Sequence, residues 1–517
     1  MQQLNQNTLA DCLTTATRTA NVTSYSYDRD NLQAGIVHFG VGNFHRCHQA
    51  VYVDKLLSQG SKNWGIVGVS MRSSHLRDQL APQDFLYTEV TLNKDRFGES
   101  TRLRLIGSLL NVLVAPENST AVIRQVADGK IKLVTTTITE KGYCLSSGCI
   151  DKKHPDFLAD SASLDSPRTI YGYIAAAAIQ RCKQNGPPLS ILCCDNIQSG
   201  GEHLQTGVRM LLQQHDKETM DWAKKQMSFA SSMVDRVAPA TEDSLKQLVR
   251  KTLELDDAWP VSAEPFSQWV IEDNFAGERP AFDNVGAQFT DDISLFEQMK
   301  LRFLNAGHSI ISVLGYLEGH PTIHQALEQA SILDFVQRAL LKNVLPVATI
   351  PVNVKGEDYI ADVTKRFTNS ALPYNVQQVN TDSSQKIQQR WFPTIDDALA
   401  KSSTQAADTT LMSFMVAAWV LYIQKALNAG ELNDPLHDQF IAAQLTIQRQ
   451  EPHRQDEGLV HQFLLIAGAG RFRFLNSAAF MSTVLSNYQT LKNTDISTAL
   501  VQLLSRLSLQ QKEVPHA

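Results

Sequence analysis

The sequence predicts an α/β protein of two domains, a doubly wound parallel sheet followed by a mostly α-helical C-terminal domain. Three observations carry that expectation. Short apolar, β-rich runs alternate with helical patterns through the first half. The first of these runs ends in a glycine pair, "HFGVGNFHR". Beyond about residue 292 strand candidates become few. At 517 residues the chain exceeds one ordinary hydrophobic core, and a division into 1–288 and 289–517 is expected.

The strand candidates in chain order are "GIVHFG" (35–40), "WGIVGV" (64–69), "KLVTTTI" (132–138), "LSILCC" (189–194) and "SMVDRV" (232–237). Several are apolar throughout rather than alternating, the pattern of a parallel strand covered on both faces. Helical segments such as 46–58 and 168–183 lie between them. Strand–helix alternation of this kind builds a Rossmann-like sheet. The stretches "SLFEQMKLRFLNAGHSIISVLGYLEG", "TIHQALEQASILDFVQRALLKNVL", "YIADVTKRF" and "TTLMSFMVAAWVLYIQKAL" are helical in period and length. A boundary near 285–291 is expected to form a cleft, a common place for a ligand.

Net charge of −6 and a pI near 6.2 leave no electrostatic footprint for nucleic acid or an anionic membrane. The N-terminal "MQQLNQNTLADCLTTATRTA" has no apolar core of a secretory signal, and "LMSFMVAAWVLYI" (411–423) is too short to span a bilayer. Seven scattered cysteines, an odd count, argue against a disulfide framework. A cytoplasmic protein, a monomer or small homo-oligomer, is the resulting expectation.

Gly40 and Gly42 supply the first two glycines of a G-x-G-x-x-G dinucleotide fingerprint; the third position is His45. The expected cofactor contacts are Gly40, Gly42, Asn43, Phe44, His45 and Arg46, the last two as cations beside a phosphate. An ordinary strand–helix turn is the bland alternative. Zinc on His45, Cys47 and His48 is disfavoured, because the spacing is cramped and no second Cys/His pair follows. After the second strand, "VGVSMRSSHLRD" has no carboxylate between Ser70 and Arg77, whereas Arg72 can meet a 2′-phosphate. NAD and NADP therefore both remain open on the residues alone.

The most informative stretch is "FEQMKLRFLNAGHS" (296–309). At about 100° per residue with Lys300 at zero, Glu297 falls at about 60°, His308 at about 80° and Asn305 at about 140°. Four polar groups then share one face of an otherwise apolar helix, which is costly unless they serve one another or a ligand. A desolvated lysine can act as general base near neutral pH, Asn305 can donate to a developing alkoxide, and His308 can orient a hydroxyl. A solvent-facing polar stripe is the alternative. Asn196, in "LSILCCDNIQSGG", ends a strand and offers a further amide donor, or else completes an Asx turn.

These stretches, with "APQDFLYT" (81–88), "TITEKGYC" (137–144), "VDRVAPAT" (234–241), "EPFSQWVIEDNF" (264–275), "KRFTN" (365–369) and "DSSQK" (382–386), resemble the mannitol dehydrogenase family of polyol-specific long-chain dehydrogenases/reductases. The resemblance covers about residues 35–425, and its K-x₄-N-x₂-H motif is specific. It implies metal-independent hydride transfer between nicotinamide and a secondary alcohol or ketone of a sugar-derived substrate. The family's lysine base falls on Lys300, its oxyanion asparagines on Asn196 and Asn305, its orienting histidine on His308 and its proton-relay glutamate on Glu297. Asp235 and Lys386 match cleft positions, and Glu140 and Lys141 are expected near the nicotinamide.

Two departures bear on the substrate. His75 stands about where NAD-selecting members carry an aspartate, and the arginine that some mannitol-specific members place twelve positions after Arg366 is Gln378 here. With "SMRS" and "SQKIQQR", these make the chain similar to the fructuronate reductase (D-mannonate oxidoreductase) branch, which implies NAD and a sugar acid whose carboxylate meets Lys386 or Arg390. The alternatives are a mannitol 2-dehydrogenase acting on mannitol and fructose, and a non-catalytic nucleotide-binding sensor.

Overall fold

A computed structural model describes residues 2–9, 21–95, 98–146, 148–372, 374–401, 409–449 and 451–512. Two compact units emerge, Met1–Asn93 with Phe97–Ser294, and Lys94–Arg96 with Leu295–Ala517.

The first unit is built on an eight-stranded sheet: β1 (Ala34–Phe39), β2 (Gly65–Ser70), β3 (Leu109–Val114), β4 (Leu133–Thr136), β5 (Leu189–Cys193), β6 (Met227–Asp235), β7 (Gln268–Glu272) and β8 (Gln288–Thr290). In space they run β8-β7-β6-β5-β4-β1-β2-β3. β1 to β6 pair in parallel, and only the β6–β7 pair is antiparallel. The 3-2-1-4-5-6 order reverses direction between β1 and β4, where doubly wound sheets open a ligand crevice at the strands' carboxyl ends.

The apolar runs are strands because both faces are covered. Val37, Phe39, Val134 and Ile191 pack with Tyr171 and Ile174 of a helix on one face. Ile36, Ile66, Leu133 and Leu192 pack with Val51, Leu56 and Trp269 on the other. Each such fully buried Val or Ile contributes about 1.5–3 kcal/mol. The expected helix 46–58 is two pieces, α1 (Asn43–Cys47) and α2 (Gln49–Ser58), broken at His48 (φ −120°, ψ −88°). A second sheet, Val261–Ala263, Tyr87–Asp95, Gly98–Ile106 and Val22–Thr23, has no counterpart among the strand candidates.

The second unit is helical. Its element α3 (Ser294–Lys300) continues through one π-helical turn, Leu301–Asn305, into α4 (Ala306–Glu318). The helix Thr410–Ala429 has a mean hydropathy of 1.4, and 78% of its apolar window is buried inside the protein, as in a core helix.

Candidate active site

β1 ends in a turn that only glycine can make. Gly40 has φ +94°, and a Cβ there would lie 2.1 Å from the Thr137 carbonyl oxygen. Gly42 precedes α1 and is exposed; a Cβ there would meet nothing nearer than the Gly40 carbonyl at 3.8 Å, so its outer side is open. Asn43 donates to the Pro239 carbonyl (3.1 Å), and half-buried Phe44 stacks on His48 (5.0 Å between centroids).

His45 and Arg46 are buried rather than set out as the expected cations beside a phosphate. The His45 ring lies flat on that of His38, with centroids 3.5 Å apart and planes at 11°. Burial, then the neighbouring His38 and Arg46, pull its pKa well below the usual histidine value, so it is neutral. Arg46 is fully buried: Nη1 donates to the Trp259 carbonyl (2.5 Å) and Nη2 to Asn43 Oδ1 (2.8 Å). The arginine therefore fixes the turn from inside. Cys47 is also buried, and its thiol donates to the Phe44 carbonyl (3.4 Å).

His38, which the sequence reading passed over, braces the same turn. Its Nε2–H faces the Gly40 carbonyl (3.3 Å) and Thr137 Oγ1 (2.9 Å), leaving Nδ1 to accept from Thr135 Oγ1 (2.7 Å). Burial pulls its pKa down to about 3. The unfolded chain therefore binds a proton between about pH 6.5 and pH 3 that the folded chain refuses, and stability falls as pH drops through that window. At pH 5 this costs about 2 kcal/mol relative to pH 7, so thermal melts of His38→Gln should show a visibly shallower acid slope. An unchanged slope would refute a neutral, buried His38.

At the ends of β4 and β5 the backbone is strained. Thr139 has φ +67°, rare for a β-branched residue and a cost of order 1–3 kcal/mol. Asp195 holds it there: Oδ1 accepts from the Thr139 N–H (2.7 Å) and Oδ2 from the Tyr143 hydroxyl (2.6 Å). Burial pushes the Asp195 carboxyl up, with the Tyr143 and Thr139 bonds opposing. Exposed Glu140 and Lys141 follow on a short 3₁₀ turn, and Asn196 is exposed next to Asp195. Asp195 and Thr139 thus join the "TEK" and "CDN" stretches, a link signalled in sequence only by a carboxylate ending an apolar strand.

Asp235 is the buried last residue of β6. Its neighbour Arg236 forms a buried ion pair with Glu89 (2.8 Å) and donates to the Cys47 carbonyl, tying β6 to the glycine turn. Arg72 is exposed just beyond β2.

In the second unit Glu297, Lys300 and Asn305 are 8–9% exposed. His308 stacks on Tyr374 (5.7 Å, 4°) and tilts against Phe367 (4.4 Å). The π turn changes their relation. A turn of about 4.4 residues, about 80° each, places Asn305 at about 50° and His308 at about −10° from Lys300, instead of the wider spread of a regular helix. Asn305 Nδ2 is buried without a hydrogen-bond partner among the described residues. Lys386 and Arg390 are bonded to scaffold: Lys386 Nζ to the Val379 carbonyl (3.0 Å), Arg390 Nη1 to the Asn305 carbonyl (3.1 Å) and to Ser309 Oγ (2.6 Å).

The family model of the mannitol dehydrogenase Rossmann domain matches residues 34–284, and that of the mannitol dehydrogenase C-terminal domain matches residues 292–455. The chain belongs to the mannitol dehydrogenase family. As a member it is an oxidoreductase acting on a secondary alcohol. A mannitol 2-dehydrogenase of Cereibacter sphaeroides is 36% identical over 424 residues, covering 81% of this chain and 87% of that protein. One from Phaeosphaeria nodorum is 34% identical over 436 residues, 82% and 75% respectively. The Pseudomonas fluorescens mannitol 2-dehydrogenase, solved as a ternary complex with NAD and D-mannitol, superposes with a TM-score of 0.80 at 32% identity, over 97% of this chain and 99% of that one. A substrate-free D-sorbitol dehydrogenase gives 0.82 at 26% identity, over 96% and 100%.

Proposed function

We propose that this mannitol dehydrogenase family member is an NAD-dependent polyol dehydrogenase interconverting a hexitol and a ketohexose, with D-mannitol and D-fructose as the preferred pair. The mannitol 2-dehydrogenases among the relatives carry the polyol over the sugar acid, and the engagement of Lys386 and Arg390 agrees with it. Both cations offered for a carboxylate donate to scaffold oxygens of their own unit. The polyol takes the place of the fructuronate reading, which rested on Gln378 and on the stretches "SMRS" and "SQKIQQR".

NAD fits the first unit. Gly40 folds the turn back on Thr137, Gly42 leaves its outer side bare, and the turn lies where the strand order reverses. The NAD complex of the Pseudomonas fluorescens relative supports NAD over NADP, although Arg72 is exposed beyond β2. When bound, NAD supplies the hydride acceptor and, reduced, the donor.

The chain's residues handle the proton and the charge. In oxidation Lys300 Nζ takes the hydroxyl proton; in reduction it returns that proton to the carbonyl oxygen. Asn305 Nδ2 donates to the oxygen as it gains negative charge, with Asn196 the second amide assigned by the family pattern. His308 orients a substrate hydroxyl, and Glu297, one turn before Lys300, relays the proton outward.

Initial rates with D-fructose and D-fructuronate under NADH and NADPH, and with D-mannitol, D-sorbitol and D-mannonate under NAD, test this reading. The kcat/KM for fructose with NADH should exceed that for fructuronate by at least about tenfold, about 1.4 kcal/mol of transition-state discrimination. Preference for fructuronate would restore the sugar acid. No turnover with any of the five would revive the sensor.

A further inference from the structure

A π turn opens the regular helical ladder, and it persists where groups outside the helix hold the chain beside it. Here Arg390 Nη1 donates to the Asn305 carbonyl (3.1 Å) and to Ser309 Oγ (2.6 Å), bracketing the end of the π turn and the start of α4. Buried Trp391 adds a longer bond from Nε1 to the next carbonyl, Ala306 (3.4 Å). Both donors stand at the end of the helix Ser383–Arg390. The face of α4 behind the π turn borders a small apolar cavity. Ala306, Ile310, Asn343, Val344 and Trp391 help line this cavity of about 30 Å³, and Asn343 and Val344 belong to a second π turn, Leu340–Val344.

We propose that Arg390, assisted by Trp391, is a positioning residue for the reaction: it holds the π register that presents Asn305 and His308 on the face of Lys300. The role of the register in catalysis rests on the assignment of Lys300 and Asn305 above. Relaxation to a regular α turn would swing Asn305 by about 90°, from about 50° to about 140° away from Lys300. Arg390 acts through the backbone of Asn305.

The test uses the full-length enzyme and the variants Arg390→Met, Arg390→Lys and Trp391→Phe. A misplacement of about 1 Å at a reacting centre costs on the order of a hundredfold, so Arg390→Met should lower kcat for fructose by about that factor. NADH affinity by fluorescence should stay within about threefold, and any rise in KM for fructose, through His308, should be smaller than the fall in kcat. Arg390→Lys, which retains one donor, should recover part of the loss, and Trp391→Phe should lower kcat in the same direction by less. Amide hydrogen exchange over residues 301–309 should change in Arg390→Met. A wild-type kcat in Arg390→Met, or a loss confined to KM, overturns the proposal. Should Arg390→Met fail to fold, Trp391→Phe and Ser309→Ala carry the same comparison. If the wild-type protein turns over none of the five substrates, the function assignment fails, and the exchange comparison alone decides whether Arg390 holds the register; unchanged exchange refutes it.

Discussion

Lys300→Ala is expected to lower kcat for ketose reduction by about a thousandfold, within the range that a positioned acid–base group supplies. NADH affinity should stay within about threefold, since Lys300 lies outside the glycine turn and the strand ends of the first unit. Lys300 is the last residue of α3, 9% exposed, directly before the π turn, so its amine is held by the helix rather than by a mobile loop. Lys300→Arg separates proton transfer from simple charge. A guanidinium keeps the positive charge but does not give up its proton in proteins, so this variant should remain as inactive as the alanine. Partial rescue of Lys300→Ala by a small primary amine would complete the case. Full activity in Lys300→Arg would limit the residue to electrostatics, and normal turnover in Lys300→Ala would remove it from the reaction.

The inner strands were legible because each is buried on both faces, so that apolarity alone marks "GIVHFG" and "LSILCC", whereas the partly exposed Leu109–Val114, Gln268–Glu272 and Gln288–Thr290 were not expected as strands. The neighbouring strands Tyr87–Asp95 and Gly98–Ile106 of the second sheet were not, because charged residues such as Glu89, Arg102 and Arg104 punctuate them. Glu89 and Arg104 find their ion partners, Arg236 and Asp54, far along the chain. Arg46 reads in sequence as an exposed phosphate ligand, since arginine is rarely buried. Trp259, 213 residues later, supplies a carbonyl that with Asn43 Oδ1 makes its burial tolerable. His38 was hidden in the same way, its meaning fixed by Thr135 and Thr137 from a neighbouring strand. The face shared by Glu297, Lys300, Asn305 and His308 was read from a uniform helical period. No Pro or Gly marks the opened turn in "LRFLN", and its stabilising donors, Arg390 and Trp391, come from another helix. The candidate residues could therefore be named from sequence, while the geometry around them depended on distant partners.

Asn305→Leu is expected to lower kcat by about 10²–10³-fold, the cost of removing one donor that meets charge only as it develops, with KM for fructose little changed. The same substitution should leave the melting temperature equal or higher. Asn305 is 9% exposed and its Nδ2 has no hydrogen-bond partner among the described residues. A buried donor left this way costs about 1–3 kcal/mol, and an apolar side chain of similar size avoids that cost. Asn305→Asp should be worse than leucine for turnover, because it sets an acceptor, and at neutral pH a negative charge, against the forming alkoxide. A structural amide would give the opposite pair of results, a melting temperature several degrees lower with kcat intact. Loss of turnover together with retained or increased stability is the signature of a group kept for the transition state at the expense of the fold.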